Sequence, residues 1–225
     1  MLLLGDGPLE RLLPDPVQVR EVFGDLDGVE LFPEEQAVIA RAVDKRRREF
    51  ATVRSCAREA LAGLGVPAVP IVPGPRGAPG WPDGVVGSMT HCDGYRAAAV
   101  APASRVRTIG VDAEPAGPLP DGVLAAIALP EELTAVAALT AADPGVAWDR
   151  LLFCAKEAVY KAWFPLTGEW LDFSEARITL GAGTFAARLL VPGPVTPEGT
   201  LSGFTGTWLH HRGLLVCAIV VPVPA

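Results

Sequence analysis

Leu151 to Pro165 read LLFCAKEAVYKAWFP. Apolar side chains fall at nearly every helical offset, so the stretch reads as a helix with few faces left for water. It nevertheless carries Lys156, Glu157 and Lys161. Phe153, Glu157 and Lys161 follow at i, i+4 and i+8 on one face, with Lys156 and Tyr160 beside them. On an exposed helix a Glu–Lys pair at this spacing contributes only about 0.2–0.5 kcal/mol. That ordinary explanation fits poorly here. Leu151, Leu152, Ala155, Ala158, Val159, Ala162, Trp163 and Phe164 surround the charges, and a half-buried carboxylate needs a partner or a metal.

Upstream, TIGVDAEP (Thr108–Pro115) reads as a strand in which Asp112 and Glu114 point to the same side. Two carboxylates there repel each other unless a cation lies between them. Mg²⁺ suits such a place, because it takes one or two carboxylates plus water and substrate phosphate. Taken alone, the motif is as well explained by a solvated strand end. Glu157 would complete a three-carboxylate site with Asp112 and Glu114, leaving Lys156 and Lys161 to face substrate phosphate. A third piece is GSMTHCDGY (Gly87–Tyr95), where Ser88, Thr90 and His91 are donors near a strand end. Ser88, Cys92 and His91 are too close along one strand to form a hydrolase triad. His91 as a phosphate ligand competes with an ordinary hydrogen-bonded histidine.

The chain has 225 residues, half of them hydrophobic and 20% charged, which describes a globular protein. Its net charge of −7 opposes bulk attraction to nucleic acid. Seven of the 19 basic residues nevertheless cluster between Arg41 and Arg58 (Arg41, Lys45, Arg46, Arg47, Arg48, Arg54 and Arg58), which points to a bound anion or to a solvated helix face. Cys56, Cys92, Cys154 and Cys217 form no CxxC pair, so neither zinc nor a disulfide framework is expected. The opening MLLLGDG is too short for a signal peptide, and LLVCAIVVPVPA reads as a buried strand rather than a membrane span. A soluble, cytoplasmic protein with no membrane partner is expected.

The spacing predicts a helix from Pro33 to Leu64, then a rigid loop, VPIVPGPRGAPGWPDG. Strands follow at Val85–His91, Tyr95–Ala101 and Arg107–Glu114, the first two joined through a CDGY turn. Helices are expected at Glu131–Ala142 and Trp148–Phe164. Four strands close the chain: Ala176–Leu180, Phe185–Val191, Leu201–His210 and Leu214–Val221, the last pair joined through HHRG. This order implies an α+β fold in two halves, residues 1–114 and 115–225, with EPAGPLPDG (Glu114–Gly122) breaking the pattern between them. No internal repeat is evident in the residues. GAGTFA (Gly181–Ala186) matches a dinucleotide fingerprint but leads into a strand, which excludes the Rossmann reading.

Four segments stand in a telling order and spacing: RRREFATVRSCAREAL, GWPDGVVGSMTHCDGY, IGVDAEP and WDRLLFCAKEAVYKAWFP. Together they resemble the 4′-phosphopantetheinyl transferases, in particular the stand-alone bacterial group that includes the enterobactin-synthase, mycobacterial and streptomycete types. The D-x-E followed by K-E-A-x-x-K is that family's signature. The resemblance runs from roughly Glu34 to Asp172.

The resemblance implies two similar α+β halves related by a pseudo-twofold, with the active site at their interface. It implies transfer of the 4′-phosphopantetheine arm of coenzyme A to a carrier-protein serine, releasing 3′,5′-ADP. Asp112, Glu114 and Glu157 would hold Mg²⁺, or Mn²⁺ in its place, and Lys156 and Lys161 would neutralise phosphate. Arg46, Arg54 and His91 would bind the nucleotide phosphates, with Ser88 and Thr90 lining the pocket. The resemblance favours Glu157 over Lys161 as the base that takes the serine proton. Ala113 stands where some relatives carry a polar residue, and Pro73 where relatives have lysine, a charge that Arg76 would supply instead. Phe153, Tyr160, Trp163 and Trp170 are candidates for the pantetheine channel or the carrier groove, core packing being the alternative for Phe153 and Trp163. The implied partners are acyl or peptidyl carrier proteins of polyketide, nonribosomal peptide or fatty-acid synthases, served by a monomer. The competing readings are a non-catalytic coenzyme A or nucleotide-binding module and a metal-dependent nucleotide phosphohydrolase.

Overall fold

The computed structural model describes residues 7–224. The backbone divides into two compact units. One holds the described residues up to Ile109 together with those from Val221 onward, and the other runs from Gly110 to Val220. The short apolar run that opens the chain lies outside the described residues. Among the described residues no helix is long and apolar enough to cross a membrane.

The first unit contains α1 (Pro8–Leu12), β1 (Gln18–Phe23), α2 (Pro33–Val38), α3 (Asp44–Gly63), β2 (Val85–Cys92), β3 (Tyr95–Pro102) and the start of β4 (Val106–Pro115). Its sheet has the order β1-β3-β2, all antiparallel. Cys92 faces Tyr95 across the expected Asp93-Gly94 turn, where Gly94 takes φ +74°. Ala97 to Ala101 are fully buried in central β3, and their small side chains let α3 lie close. Cys56, Ala57, Ala60, Leu61, Ile71, Ala98 and Val100 form the core between them. The N-terminal segment, to which the sequence assigned no role, supplies an edge strand. Glu21 of β1 accepts the Tyr95 hydroxyl and the backbone N–H groups of Leu9 (3.3 Å) and Glu10 (3.1 Å), fastening α1 to the sheet.

The helix predicted from Pro33 to Leu64 is two helices. Pro33 opens α2 as expected, but the chain turns between Ile39 and Val43. Arg47 holds that turn by donating to the carbonyls of Ala40 (2.6 Å) and Ala42 (2.8 Å). An apolar periodicity that continues across a break hides it.

The second unit contains the remainder of β4, α4 (Val123–Ile127), α5 (Pro130–Ala142), α6 (Trp148–Thr167), β5 (Ala176–Leu180), β6 (Thr184–Leu189), β7 (Val195–Thr196), β8 (Gly199–Thr200), β9 (Gly203–His211) and β10 (Leu214–Pro222). The sheet order is β4-β10-β9-β6-β5, and β7 and β8 form a separate two-residue ladder. The expected helices and strands appear within a few residues of their predicted ends. Too short to show a period, α4, β7 and β8 were not predicted. GAGTFA is a β5–β6 hairpin turn, with Gly183 at φ +69°, as its lead into a strand required.

The second unit depends on one close approach. A Cβ at Gly110 would stand 2.0 Å from the Ala158 carbonyl oxygen and 2.8 Å from the Ala162 nitrogen. Only glycine lets β4 lie this near α6.

The residues do contain a repeat, which the sequence alone did not make evident. Pro33-Glu34-Glu35 and Pro130-Glu131-Glu132 each open a helix, and CAREA (Cys56–Ala60) and CAKEA (Cys154–Ala158) each lie in the following long helix. The contacts repeat too. Buried Glu35 accepts from the N–H groups of Phe32 (3.1 Å) and Ile71 (2.9 Å) and pairs with Arg58 at 2.9 Å. Buried Glu132 accepts from the N–H groups of Leu129 (2.8 Å) and Ile178 (2.6 Å) and pairs with Lys156 at 2.9 Å.

Candidate active site

Asp112 and Glu114 belong to the same compact unit as α6. The approach at Gly110 sets one stripe of α6 against the acidic face of β4. Lys161 donates to Asp112 Oδ1 at 2.7 Å and to the Val111 carbonyl at 3.1 Å. Arg150 donates to Glu114 Oε2 at 3.0 Å. Glu157 stands between these two cations in the helix sequence. Among the described residues it forms no ion pair or hydrogen bond of its own.

The acids sense one another. Burial first, then the charges of Asp112 and Glu114, raise the Glu157 carboxyl above its ordinary range, with Lys161 opposing. Burial and Asp112 likewise raise Glu114, against the pull of Arg150 and Lys161. Burial alone would lower the Lys161 ammonium, but Asp112 and Glu157 outweigh it and raise it, so Lys161 is a firmly held cation. Among the described residues no three His, Cys, Asp or Glu side chains stand close enough together to hold a metal ion as they are arranged. The donor chemistry still fits Mg²⁺: three hard carboxylates along one strand and the facing helix stripe, two of them occupied by cations that a metal would displace or join.

Lys156 lies apart from this stripe. It is 3% exposed, and its ammonium donates to the carbonyls of Phe173 (2.7 Å) and Ala176 (2.9 Å) besides pairing with Glu132. An ammonium has three donors, and all three have protein acceptors. In this structure Lys156 faces the protein, not the solvent-accessible side where the sequence placed it to meet phosphate.

Of the proposed channel residues, Tyr160 packs tilted against Trp170 at 4.9 Å and Phe153 meets Phe173 at 6.1 Å. Glu157, Tyr160, Trp170 and Phe173 share a small cavity of about 80 Å³, and Trp170 is 52% exposed. Trp163 is buried, donating its ring N–H to the Glu169 carbonyl at 3.0 Å, so it belongs to the core.

In the first unit the structure separates the basic cluster by use. Arg46 donates to His91 Nε2 at 2.6 Å, and Glu49 lies 3.9 Å from Arg46 and 3.7 Å from His91. These two predicted phosphate ligands therefore meet at the surface, one from α3 and one from β2. Arg54 is nearly buried over the Phe50 ring at 3.7 Å and donates to the Ile71 carbonyl. Burial lowers its guanidinium to about 10, so it stays charged at neutral pH. Arg47 and Arg58 have the structural duties given above. Ser88 and Thr90 are buried in β2 opposite Ala99 and Ala97. Arg76 sits in the turn Pro75–Gly77 at φ +57°, a left-handed conformation unusual for arginine, between Pro73 and Pro79, which bridge to each other. An open groove of about 910 Å³ around Leu31, Gln36, Ala40 and Arg47 contains none of the expected site residues.

Glu132 and Arg150 were not singled out from sequence. The signal for Arg150 was present: it lies two turns before Glu157 and so on the same face.

Comparison with known proteins agrees with this geometry. Residues 34–101 match the family described as 4′-phosphopantetheinyl transferase N-terminal domain, and residues 108–198 match the 4′-phosphopantetheinyl transferase superfamily. The chain is 59% identical over 222 residues to the 4′-phosphopantetheinyl transferase Svp of Streptomyces mobaraensis, covering 96% of this chain and 90% of that one. It is 51% identical over 221 residues to the transferase Npt of Nocardia iowensis, covering 94% of this chain and 98% of the relative. To PptT of Mycobacterium tuberculosis it is 50% identical over 207 residues, covering 89% and 90%. An α+β chain with the D-x-E strand apposed to the K-E-A-x-x-K helix, matched along almost its whole length by such relatives, belongs to the 4′-phosphopantetheinyl transferase superfamily and is an enzyme of that class.

Proposed function

We propose that the protein moves the 4′-phosphopantetheine arm of coenzyme A onto a serine of an acyl or peptidyl carrier protein, with Mg²⁺ held by Asp112, Glu114 and Glu157. The observation that carries this reading is the apposition of α6 and β4. Two strand acids are each held by a helix cation, and a third acid is left between those cations with a raised proton affinity.

The serine hydroxyl attacks the β-phosphorus in line and 3′,5′-ADP departs, a transfer that depends on positioning and charge neutralisation. Bound Mg²⁺ would offset the negative charge of the diphosphate and of the leaving group. Lys161 is held as an ammonium, so its part is to donate toward phosphate oxygen; it has no lone pair with which to act as base. Glu157, whose carboxyl holds a proton more readily than usual, is the group suited to accept the serine proton. The cavity beside it, lined by Lys156, Tyr160, Trp170 and Phe173, has room for a short part of the pantetheine arm. In the first unit, Arg46 with His91, and Arg54 and Arg76, supply charge for the nucleotide phosphates, and Ser88 and Thr90 of β2 line the nucleotide pocket. The carrier belongs to a polyketide, nonribosomal peptide or fatty-acid synthase, and the enzyme works as a monomer.

Purified protein incubated with Mg²⁺, coenzyme A and apo carrier proteins of these three kinds should add about 340 Da to at least one of them, the phosphopantetheine increment. Intact mass spectrometry that finds no shift on any carrier overturns the proposal.

A further inference from the structure

We propose that Arg150 is the positioning residue of the acidic site, setting where the Glu114 carboxylate stands. The inference rests on the reading of Asp112, Glu114 and Glu157 as metal ligands. Arg150 opens the α6 stripe that continues to Glu157 and Lys161, and its guanidinium makes three different contacts. One nitrogen meets Glu114 Oε2 at 3.0 Å, Nε donates to the Gly117 carbonyl at 3.1 Å, and the other terminal nitrogen donates to the Pro118 carbonyl at 2.8 Å. The planar fork is therefore fixed by backbone at two points before it touches the acid, so the third contact has little freedom. Neighbouring Asp149 accepts the Leu119 N–H at 2.8 Å and strengthens the same tether. Glu114 sits near the end of β4, where side-chain freedom would otherwise be greatest.

The repeat supplies a second, independent observation. Aligning CAREA with CAKEA sets Arg150 against Thr52 and Lys161 against Gly63. The glutamate recurs as Glu59, yet the two flanking cations do not. Charge at these stripe positions is present only in the unit that also carries Asp112 and Glu114. Lys161 orders Asp112 and Arg150 orders Glu114, so each strand acid has its own cation and the spacing of the acids about Glu157 is held from both ends.

The test measures Mn²⁺ binding to the full chain in the presence of coenzyme A, read from the electron paramagnetic resonance signal of free Mn²⁺. Wild type should bind, and Arg150→Met should bind about 10–100-fold more weakly, the usual cost of removing a group that orients a ligand. Asp149→Asn loosens the tether without touching Glu114 and should weaken Mn²⁺ binding in the same direction but by less than Arg150→Met. At saturating metal the KM for coenzyme A of Arg150→Met should return close to the wild-type value, which a general loss of structure would not permit. If Arg150→Met fails to fold, Arg150→Lys carries the test: an ammonium lacks the planar fork that reaches Glu114, Gly117 and Pro118 from three separate nitrogens, so binding should still weaken. Wild-type Mn²⁺ affinity in a folded Arg150 variant overturns the assignment while leaving the metal reading in place. No Mn²⁺ binding by wild type overturns the metal reading and this inference with it.

Discussion

Arg58-Glu59 of α3 and Lys156-Glu157 of α6 occupy the same place in two copies of one local design, and they differ where function differs. In both, the basic residue reaches back to a buried glutamate at the start of the preceding helix, and that glutamate also accepts a backbone N–H from the chain beyond the long helix. In both, the alanines on either side pack against the sheet. The following glutamate is the point of divergence. Glu59 is exposed and lies 3.7 Å from Arg20, whereas Glu157 is half-buried among other acids. A unit without paired acids keeps the basic residue and the alanines, so those positions serve the fold. What the second copy adds is a burial site for the glutamate and the cations Arg150 and Lys161 around it.

The largest effect that would test this division is on stability. Lys156→Met and Arg58→Met should each lose about 3–5 kcal/mol in denaturant titration, because each leaves a buried carboxylate unpaired. Adding Glu132→Gln to the first, or Glu35→Gln to the second, should recover part of the loss. A Lys156→Met variant as stable as wild type but unable to bind coenzyme A would break the comparison by returning Lys156 to phosphate binding.

Next in size is turnover. Glu157→Gln should slow transfer about 10²–10³-fold, in line with the loss of one preorganised charge-stabilising group, while Glu59→Gln should leave turnover unchanged. The same pair should separate in metal-free melting. The Glu157 carboxyl is raised in the folded state, so the folded protein binds more protons than the unfolded chain just above 4.5, and stability falls as pH rises through that window. Glu157→Gln should therefore melt higher than wild type at neutral pH without metal, and a lower melting point would contradict burial and the neighbouring acids as the origin of the shift.

The smallest effect sharpens the contrast between the basic helix and the acidic one. Arg46→Ala should weaken coenzyme A binding by about 1.5–3 kcal/mol, the worth of a charge-assisted contact, and should scarcely change the affinity of dephospho-coenzyme A. Equal losses for the two ligands in calorimetry would show that Arg46 does not read the 3′-phosphate.

Most of this architecture was legible in the residues because its elements are long and strongly patterned. β3 and β10 are runs of buried small or branched residues, and α6 announced itself through its apolar density. The site was legible where periodicity brings charges to one face, as with Glu157 and Lys161, and where a strand sets two acids on one side. The protein acceptors of Lys156 were not legible, because a lysine beside a catalytic-looking glutamate carries no mark of which way it turns. Its acceptors, Glu132 and two backbone carbonyls, come from distant chain positions that no local pattern reports. The repeat went unseen for a related reason. A proline, two glutamates and a five-residue string are too sparse to register until their hydrogen bonds are compared. The break at Ile39–Val43 was invisible because the apolar spacing runs through it.

Gly110 makes the spacing of the acidic site a matter of tolerance. The separation between the D-x-E strand and α6 is set by a hydrogen atom rather than by a side chain, since a methyl group there would lie 2.0 Å from the Ala158 carbonyl oxygen. Relieving that overlap would push the strand away by roughly 1 Å, more than the difference between the oxygen distances preferred by Mg²⁺ and by Ca²⁺, about 2.0–2.1 and 2.3–2.6 Å. The smallest residue in the motif would then govern which ion the acids prefer, without touching any ion itself.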